Sequence, residues 1–485
     1  MLLNYWPHLT VFGIIDACIV AIGIPWVLLT KRDSTAAIAW SLAIFLLPLV
    51  GFFLFWVFGF NHINRRLGRK RAHRRAFREA QPPRVPEAAR GNPQESADET
   101  FAGLGQLAVK LGGFPVSGGN SVTLYADTKE AMKSLLDAIA GARHSIHLEF
   151  FIFRPDETGK HVIDLLARKA AEGVQVRLLR DAMGGHDLGS IAHRAVLEPL
   201  LRAGGKANVF LPLSPWRSRV QVNLRNHRKM VVVDGRVGFT GGMNIGDEYL
   251  GKGARFGYWR DEFVRLEGPA VAALQRTFAE DWDFACGESL DDPAYYPDAA
   301  QAGEDVVQVV ESGPDQDVNT IRELYFAAIL AARERLWIAS PYFVPDAGLL
   351  DALRLACHRG VDVRLLSLLR PDHFFSFYAG RYYYTDFLAA RAKVYQYRKG
   401  MMHAKSVMVD GRWAFVGSSN LDNRSLHLNF EAGVVLHSSE RVAELEKQFQ
   451  QDLRDSEMLE LPAFMRRPFR ARLTENTCRL LSPIL

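Results

Sequence analysis

The chain has 485 residues, of which 48% are apolar and 23% charged, and its formal net charge at pH 7 is +5. This length allows two or three domains with full hydrophobic cores, and the composition excludes a disordered or low-complexity chain. The excess positive charge is local, since residues 61 to 78 hold eight Lys and Arg residues and no acid. The remainder is nearly balanced, which argues against a nucleic-acid-binding surface.

Two hydrophobic segments precede this basic run. Residues 9 to 29 contain one charge, Asp16, and residues 36 to 60 contain none. Each segment is long enough to cross the roughly 30 Å hydrocarbon layer as a helix. We therefore predict two transmembrane segments within residues 1 to 60, with one span plus a re-entrant or interfacial segment as the alternative. A signal peptide is disfavoured, because no basic residue precedes the first segment and no cleavage site follows it.

Residues 61 to 100 read as a basic juxtamembrane segment followed by a linker. Positive charge directly after a hydrophobic segment indicates the cytoplasmic side, so we expect the rest of the chain in the cytoplasm. The same charges attract anionic lipid headgroups, although a plain topology signal would need no lipid contact. The stretch from 81 to 98 is rich in Pro, Ala and charged residues, as linkers often are.

The rest of the chain consists of two similar halves, which we place at residues 101 to 300 and 301 to 485. The sequence SIHLEFFIFRPD at 145 to 156 resembles RLWIASPYFVPD at 335 to 346, and GVQVRLL at 173 to 179 resembles GVDVRLL at 360 to 366. In the first half we predict a helix over 128 to 142, a strand over 145 to 152, a helix over 160 to 172 and a strand over 174 to 180. This alternation is typical of a layered α/β domain.

A second repeat carries the candidate chemistry. The sequence HRKMVVVDG at 227 to 235 returns as HAKSVMVDG at 403 to 411, and each copy continues into a small-residue turn that ends in Asn. Residues two apart in a strand face the same side, so the His and Lys of each copy should project together. The six side chains that the repeat supplies are His227, Lys229, Asn244, His403, Lys405 and Asn420.

A set of two His, two Lys and two Asn around one point suits a phosphodiester. One neutral imidazole can attack phosphorus while an imidazolium opposite protonates the leaving alkoxide. The ammonium and amide groups can bind the non-bridging oxygens, so we expect catalysis without a metal or a cofactor. Four cysteines, none in a CxxC spacing, suggest neither zinc nor a disulfide framework.

These motifs resemble the signature of the phospholipase D superfamily. With two hydrophobic segments in front, the chain resembles the bacterial cardiolipin synthases over nearly its whole length, including GYWRDEFVRLEGPAV and NLDNRSLHLNFE. The resemblance implies an α/β fold made of a duplicated phospholipase D-like domain. Its two α/β sandwich halves would be related by a pseudo-twofold axis and preceded by a transmembrane helical hairpin.

The resemblance also implies the roles of the site residues. The acids that orient the two His side chains would fall on Asp261 in the first half and Glu431 in the second. Asp234 and Asp410, the acids of the repeated motif, are expected to cap the turn after each strand. The family favours the N-terminal His, His227, as the nucleophile, although the near-symmetry of the motifs leaves His403 open.

The activity that the resemblance implies is transfer of a phosphatidyl group from one phosphatidylglycerol to another, through a phosphohistidine, with release of glycerol. The expected location is the bacterial inner membrane, as a multi-pass protein with its catalytic part in the cytoplasm. Alternatives are a phospholipase D-type hydrolase, a phosphatidyltransferase that uses phosphatidylethanolamine, a membrane-tethered nuclease and a lipid-binding scaffold.

Two segments combine aromatic and basic residues, 212 to 225 and 373 to 391. Each would either enter the membrane interface or pack in the core.

Overall fold

The structure is a computed structural model that describes residues 6–31, 34–59, 64–80, 99–184, 191–212, 224–298 and 300–485. It consists of two compact units, Met1–Arg69 and Lys70–Leu485. The second unit contains both copies of the repeated motif. The domain boundaries suggested by the sequence stay predictions.

The first unit is made of apolar helices. They are α1 (Trp6–Thr30), α2 (Ser34–Leu46) and α3 (Pro48–Leu54). Within the described residues only α1 is long and apolar enough to cross a membrane, over Gly13–Thr30. The second hydrophobic segment is interrupted at Leu47, because the residue before a proline avoids the helical conformation. The second hydrophobic segment is thus divided between two shorter helices, and a second membrane crossing stays a prediction.

Two helices lead into the repeated halves: α4 (Asn64–Ala80) and α5 (Glu99–Lys110). The α4 helix carries the basic run, and the structure contradicts part of the expectation for it. The side chains of Lys70 and Arg74 are 1% and 8% exposed and form ion pairs inside the second unit. These two charges are therefore not available to lipid headgroups, whereas Arg75 is 73% exposed.

The first half of the second unit alternates strands and helices. Its strands are β1 (Ser117–Asp127), β2 (Ser145–Phe150), β3 (Gln175–Asp181), β4 (Lys206–Phe210), β5 (Arg225–Asn226), β6 (Lys229–Val233), β7 (Val237–Gly241) and β8 (Tyr258–Glu267). Its helices are α6 (Thr128–Gly141), α7 (Glu157–Ala171), α8 (Ile191–Arg202) and α9 (Val271–Cys286). The four elements expected between 128 and 180 are α6, β2, α7 and β3, and all four are confirmed.

The second half repeats this order. Its strands are β9 (Asp305–Ser312), β10 (Arg335–Ala339), β11 (Phe343–Val344), β12 (Asp362–Leu368), β13 (Lys393–Tyr397), β14 (Gly400–Met402), β15 (Ser406–Val409), β16 (Trp413–Gly417), β17 (Leu421–Asp422), β18 (Asn429–Leu436) and β19 (Ser456–Met458). Its helices are α10 (Thr320–Ala331), α11 (Ala347–His358), α12 (Phe374–Ala389), α13 (Asn423–His427), α14 (Ser439–Arg454), α15 (Leu461–Met465) and α16 (Phe469–Arg479).

The two halves build matching sheets. In the first half the strands lie in the order β1-β8-β7-β6-β2-β3-β4, with β2, β3 and β4 parallel. In the second half the order is β9-β18-β16-β15-β10-β12-β13, and β10, β12 and β13 are parallel. Apolar side chains from both sheets, with α9 and α14, share a central core. The expected duplicated α/β fold is confirmed.

The aromatic segment from 373 to 391 forms most of α12, and its two faces differ. Ala379, Tyr384 and Phe387 are buried, which agrees with core packing. Phe374 and Phe375 are 53% and 54% exposed at the start of the helix. Contact of these two rings with the membrane interface stays a prediction. Most of the other aromatic segment, residues 213 to 223, lies outside the described residues.

Candidate active site

Two short strands bring the motifs of the two halves together. Strand β5, which precedes His227, pairs in parallel with the start of β18, and the His227 amide donates to the Phe430 carbonyl at 2.9 Å. In the same way β14 pairs in parallel with the start of β8, and the His403 amide donates to the Arg260 carbonyl at 2.7 Å. The His of each half is therefore hydrogen bonded through its backbone to a strand of the other half.

The first of these crossings sets His227 against Glu431. The Nδ1 atom of His227 lies 3.0 Å from each carboxylate oxygen of Glu431. Ser418 and Asn429 donate further hydrogen bonds to this carboxylate and fix its position. With Nδ1 donating to the carboxylate, the other ring nitrogen, Nε2, keeps its lone pair.

The second crossing sets His403 against Asp261. The Nδ1 atom of His403 lies 2.7 Å from Oδ2 of Asp261, whose other oxygen accepts the Glu262 amide at 2.9 Å. The acidic partners suggested by the family resemblance thus contact the two His side chains. Each acid lies in the opposite half from the His that it orients, an exchange that the sequence does not reveal.

The two lysines lie directly behind the His pair. Lys229 and Lys405 are 0% and 1% exposed, and each ammonium donates to the carbonyl of the His two residues earlier, at 2.6 and 2.5 Å. Burial and the charge of Lys405 lower the pKa of Lys229 to about 7, against the opposing effect of Glu431. Burial also lowers the pKa of Lys405. An anion bound nearby would favour the charged form of both lysines.

The histidines are held in their neutral form. Burial and the charges of Lys229 and Lys405 lower the pKa of His227 to about 4, although Glu431 acts in the opposite direction. Burial and Lys405 also lower the pKa of His403, with Asp261 opposing them. An uncharged imidazole with its Nδ1 hydrogen bonded to a carboxylate is the form that can attack phosphorus.

The two asparagines of the motifs are anchored differently. Oδ1 of Asn244 accepts the Ile152 amide at 3.1 Å, which leaves the NH₂ group of Asn244 on the opposite side of the amide. Nδ2 of Asn420 donates to Asp422 at 3.1 Å. Both asparagines line the same cavity as the two histidines.

The acids of the repeated motif, Asp234 and Asp410, accept hydrogen bonds from backbone amides rather than contacting the His pair. Asp234, at a positive φ of 53°, accepts the amides of Arg143, His144 and Ser145 at 2.7 to 2.9 Å. Asp410, also at 53°, accepts three amides of the equivalent loop at 2.8 Å each. Neither side chain is among those that line the cavity. These contacts support a structural role for both residues.

The cavity that joins the two half-sites has a volume of about 580 Å³. It is lined by His227, His403, Asn244 and Asn420 together with several aromatic rings, among them Phe151, Tyr249, Phe256, Trp259 and Tyr342. Phe151 packs edge-on to His227 at 4.9 Å, and Trp259 contacts His403 at 5.4 Å between ring centroids. Aromatic rings beside convergent polar groups are a common feature of ligand sites.

Behind His227 lies a buried network of charges. Arg228 is 0% exposed, donates to the Glu431 carbonyl at 3.2 Å and pairs with Glu311 and Asp281. Lys70 of α4 also pairs with Asp281, at 2.9 Å. Sequence reasoning missed this network. The available signal was Glu311 within the apolar strand VVQVVES, since a buried carboxylate requires a cation.

Comparison with known proteins identifies the class. The family model described as "Cardiolipin synthase, PLD-like domain" matches residues 135–282 and 325–453. A cardiolipin synthase of Geobacillus kaustophilus is 40% identical, over 99% of this chain and 96% of that protein. Cardiolipin synthase 2 of Bacillus anthracis is 38% identical, over 95% of this chain and 88% of that protein.

Among solved structures, a phosphatidylserine synthase from Haemophilus influenzae has a similar fold. Its TM-score is 0.57 at 18% identity, and the match covers 75% of this chain and 95% of that chain. This likeness supports the fold alone. The sequence relatives show more: the protein belongs to the cardiolipin synthase family, whose domain is phospholipase D-like.

Proposed function

We propose that this protein synthesises cardiolipin by transferring a phosphatidyl group from one phosphatidylglycerol to another, with release of glycerol. The observation that carries the proposal is the reciprocal pair of His–carboxylate contacts, His227 with Glu431 and His403 with Asp261, at one cavity. Membership of the cardiolipin synthase family supports the choice of substrate. The exchange of one phosphodiester for another requires two proton transfers and one covalent relay, which two imidazoles can perform.

His227 is the nucleophile in this proposal. Its Nε2 attacks the donor phosphorus. His403, which the negative charge of the bound phosphodiester keeps protonated, gives its Nε2 proton to the glycerol oxygen as the P–O bond breaks. In the second step His403 accepts the proton of the lipid hydroxyl, the new P–O bond forms, and the P–N bond to His227 breaks. The low pKa of His227, about 4, favours the unprotonated nucleophile. Glu431, held by Ser418 and Asn429, stabilises the positive charge that the His227 ring gains.

Lys229, Lys405 and the amides of Asn244 and Asn420 bind the non-bridging phosphate oxygens. In this proposal the lysines act from behind the His pair, where each ammonium contacts a His carbonyl. The two ammonium groups supply positive charge that a divalent ion would otherwise provide, and the two amides add neutral hydrogen-bond donors. Among the described residues no group of three or more His, Cys, Asp or Glu side chains is arranged to hold a metal. We therefore expect activity to survive chelators.

The proposed location is the inner membrane of a bacterium, with two membrane segments and the second unit on the cytoplasmic side. The long apolar helix α1 and the basic run after the second segment support this orientation. Exposed apolar side chains on two helices offer lipid contact. They are Phe374 and Phe375 on α12, and Phe469 and Leu473 on α16. Exposed Arg470 and Arg472 lie on the same C-terminal helix, and this mixture suits headgroup depth.

Incubation of the purified protein with vesicles of phosphatidylglycerol alone tests the function, with mass spectrometry of the products. We expect cardiolipin and glycerol in equal amounts, at the same rate with and without EDTA. Phosphatidic acid without cardiolipin would indicate a hydrolase. Cardiolipin that forms only after phosphatidylethanolamine is added would indicate a different donor. Loss of turnover in EDTA that one metal restores would contradict the metal-free mechanism.

A further inference from the structure

The two sides of the cavity carry different charges, although the catalytic motifs repeat. Two residues before the His, the first half has Arg225 where the second has Met401. Four residues after the Asn, the first half has Glu248 where the second has Arg424. Each half thus contributes one arginine that its counterpart in the other half lacks. Both arginines, Arg225 and Arg424, line the cavity.

Arg225 and Arg424 lie on the same side, next to His227. Arg225 pairs with Asn429 across the β5–β18 crossing, and Arg424 lies in α13, directly before β18. The two guanidinium groups are close enough for the charge of Arg424 to contribute to the lowered pKa of Arg225, for which burial is the main cause. Two like charges in a buried site repel each other, and an anion between them relieves that repulsion.

Both arginines are fixed by contacts at the back of the site. Arg225 is 2% exposed, and its Nη1 lies 3.6 Å from Asp181. Arg424 donates from Nη1 to the Ile484 carbonyl at 3.2 Å. The neighbouring carboxylates, Asp181 and Asp422, have pKa values raised by burial, so the site disfavours their charged forms. The guanidinium groups of Arg225 and Arg424 thus line the cavity beside His227, each held by its own contacts.

The opposite side of the cavity also has two arginines, Arg154 and Arg255, but both are more exposed than Arg225. Met401 is buried, and Glu248 forms an ion pair with Arg154 at 3.0 Å. Arg255 is exposed at the cavity edge and donates to the Pro371 carbonyl. Among the arginines that line the cavity, Arg225 is thus the most deeply buried, and it lies with half-buried Arg424 on the His227 side.

The proposed reaction brings two phosphodiesters into one cavity. The first reacts at the His pair, and the second belongs to the lipid that supplies the alcohol. In the product the two phosphorus atoms are joined through one glycerol, along a P–O–C–C–C–O–P path. Arg225 and His227 are two residues apart in an extended chain, so their Cα atoms are separated by about 7 Å. A phosphate at Arg225 and another at His227 would have a spacing that this path can bridge.

We propose that Arg225 and Arg424 form a subsite for the phosphodiester of the acceptor lipid, an inference that rests on the function proposed above. Guanidinium groups suit this role because they bind phosphate oxygens through two parallel hydrogen bonds. The subsite explains how the protein selects a lipid alcohol over water. An alcohol that carries its own phosphate gains binding energy at Arg225 and Arg424 that neither water nor free glycerol can obtain.

The test compares two reactions of one variant, Arg225→Met, which gives the first half the residue of the second. One reaction is cardiolipin synthesis from phosphatidylglycerol. The other is exchange of labelled free glycerol into phosphatidylglycerol, which uses the same donor phosphate but an acceptor without phosphate. We expect synthesis to fall at least tenfold further than exchange, with a higher KM for phosphatidylglycerol in synthesis. Arg225→Lys keeps the charge, so its ratio of synthesis to exchange should lie between the ratios of Arg225→Met and the unmodified protein.

Arg424→Met provides a second variant, in which the altered side chain is only half-buried and folding is less at risk. It should shift the ratio of synthesis to exchange in the same direction. Equal loss of both reactions in both variants, with an unchanged melting temperature, would overturn the subsite. If the unmodified protein performs neither reaction, the proposed function fails. If it performs both and the ratio stays constant in the variants, only the subsite fails.

Discussion

The two half-sites share a motif but differ in what surrounds it. Glu431 meets His227 with both oxygens at 3.0 Å, whereas Asp261 meets His403 with one oxygen at 2.7 Å. The residue after His227 is Arg228, which reaches a buried charge network, and the residue after His403 is Ala404, which packs in the central core.

This difference shows how duplication can produce two roles from one motif. The shared residues supply the same chemical groups on both sides of the reacting phosphate. The unshared neighbours set the electrostatics, so that His227 and not His403 lies beside Arg225 and Arg424. Equivalent sequence motifs therefore do not imply equivalent catalytic roles, and the following predictions separate the two sides.

The largest effects should come from the histidines themselves. His227→Ala should reduce cardiolipin synthesis by about 10⁴-fold or more, because a covalent relay has no alternative nucleophile. His403→Ala should cost about 10²- to 10⁴-fold, the usual contribution of a general acid and base. Initial rates in phosphatidylglycerol vesicles measure both losses.

A substrate with a leaving group that needs no proton should distinguish the two variants. With a nitrophenyl phosphodiester lipid, His403→Ala should recover formation of the phosphoenzyme, and His227→Ala should not. Label trapped on His403 in the His227→Ala variant would reverse the assignment of the nucleophile.

A smaller effect, on stability, should come from the buried charge network behind the first half-site, to which Lys70 belongs. Lys70→Met removes a cation that pairs with Asp281 at 2.9 Å in a fully buried setting. Loss of one partner of a buried pair costs about 3 to 5 kcal/mol in the free energy of unfolding. Urea unfolding in detergent measures this cost for the second unit.

Arg75→Met is the matched control on the same helix. Its side chain is 73% exposed and lies 3.6 Å from the exposed Asp317. Its removal should change the unfolding free energy by about 0.5 kcal/mol or less. Equal effects of the two substitutions would mean that the buried network contributes nothing beyond a surface contact.

The smallest effect is the pH dependence of kcat/KM, which we attribute to Lys229 in the first half. Lys229 has a pKa of about 7 in the free site, well below its usual range, because it is buried beside Lys405. Its charge, and with it the attraction for a phosphodiester, is present below pH 7 and lost above it. We therefore expect kcat/KM to fall by up to tenfold for each pH unit above about 7.

The pH dependence of kcat, which reports the enzyme with substrate bound, can be compared with this fall of kcat/KM above pH 7. An anion at the site raises the pKa of Lys229, so the limb in kcat should appear at higher pH than the limb in kcat/KM. Coincident limbs in the two profiles would assign the titration to another group.

Much of this molecule follows from its sequence. The duplicated His-x-Lys motif and the distant Asn predict six candidate site residues, because strand periodicity and glycine turns are local properties. The helices and strands of the first half follow from the same local patterns. In contrast, the orientation of the carboxylates depends on β5 pairing with β18 and β14 with β8, and neither pairing has a local signal.

The basic run shows where local reasoning is incomplete. A cluster of Lys and Arg after a hydrophobic segment has the pattern of a membrane flank, yet Lys70 and Arg74 are buried against Glu280, Asp281, Glu311 and Asp315. Those acids lie more than 200 residues later in the chain. Only the tertiary fold shows that positive charges on α4 neutralise carboxylates behind His227.

The reciprocal crossing strands also affect how the protein is made. His227 is separated from Glu431 by 204 residues and His403 from Asp261 by 142, so both pairs need contacts of long range in sequence. Translation proceeds at about 5 to 20 residues per second, from the N-terminus. A nascent chain that has presented only its first half thus carries His227 without its carboxylate for many seconds. Such a chain has an incomplete active site, and the lipids around it are protected from hydrolysis until synthesis is complete.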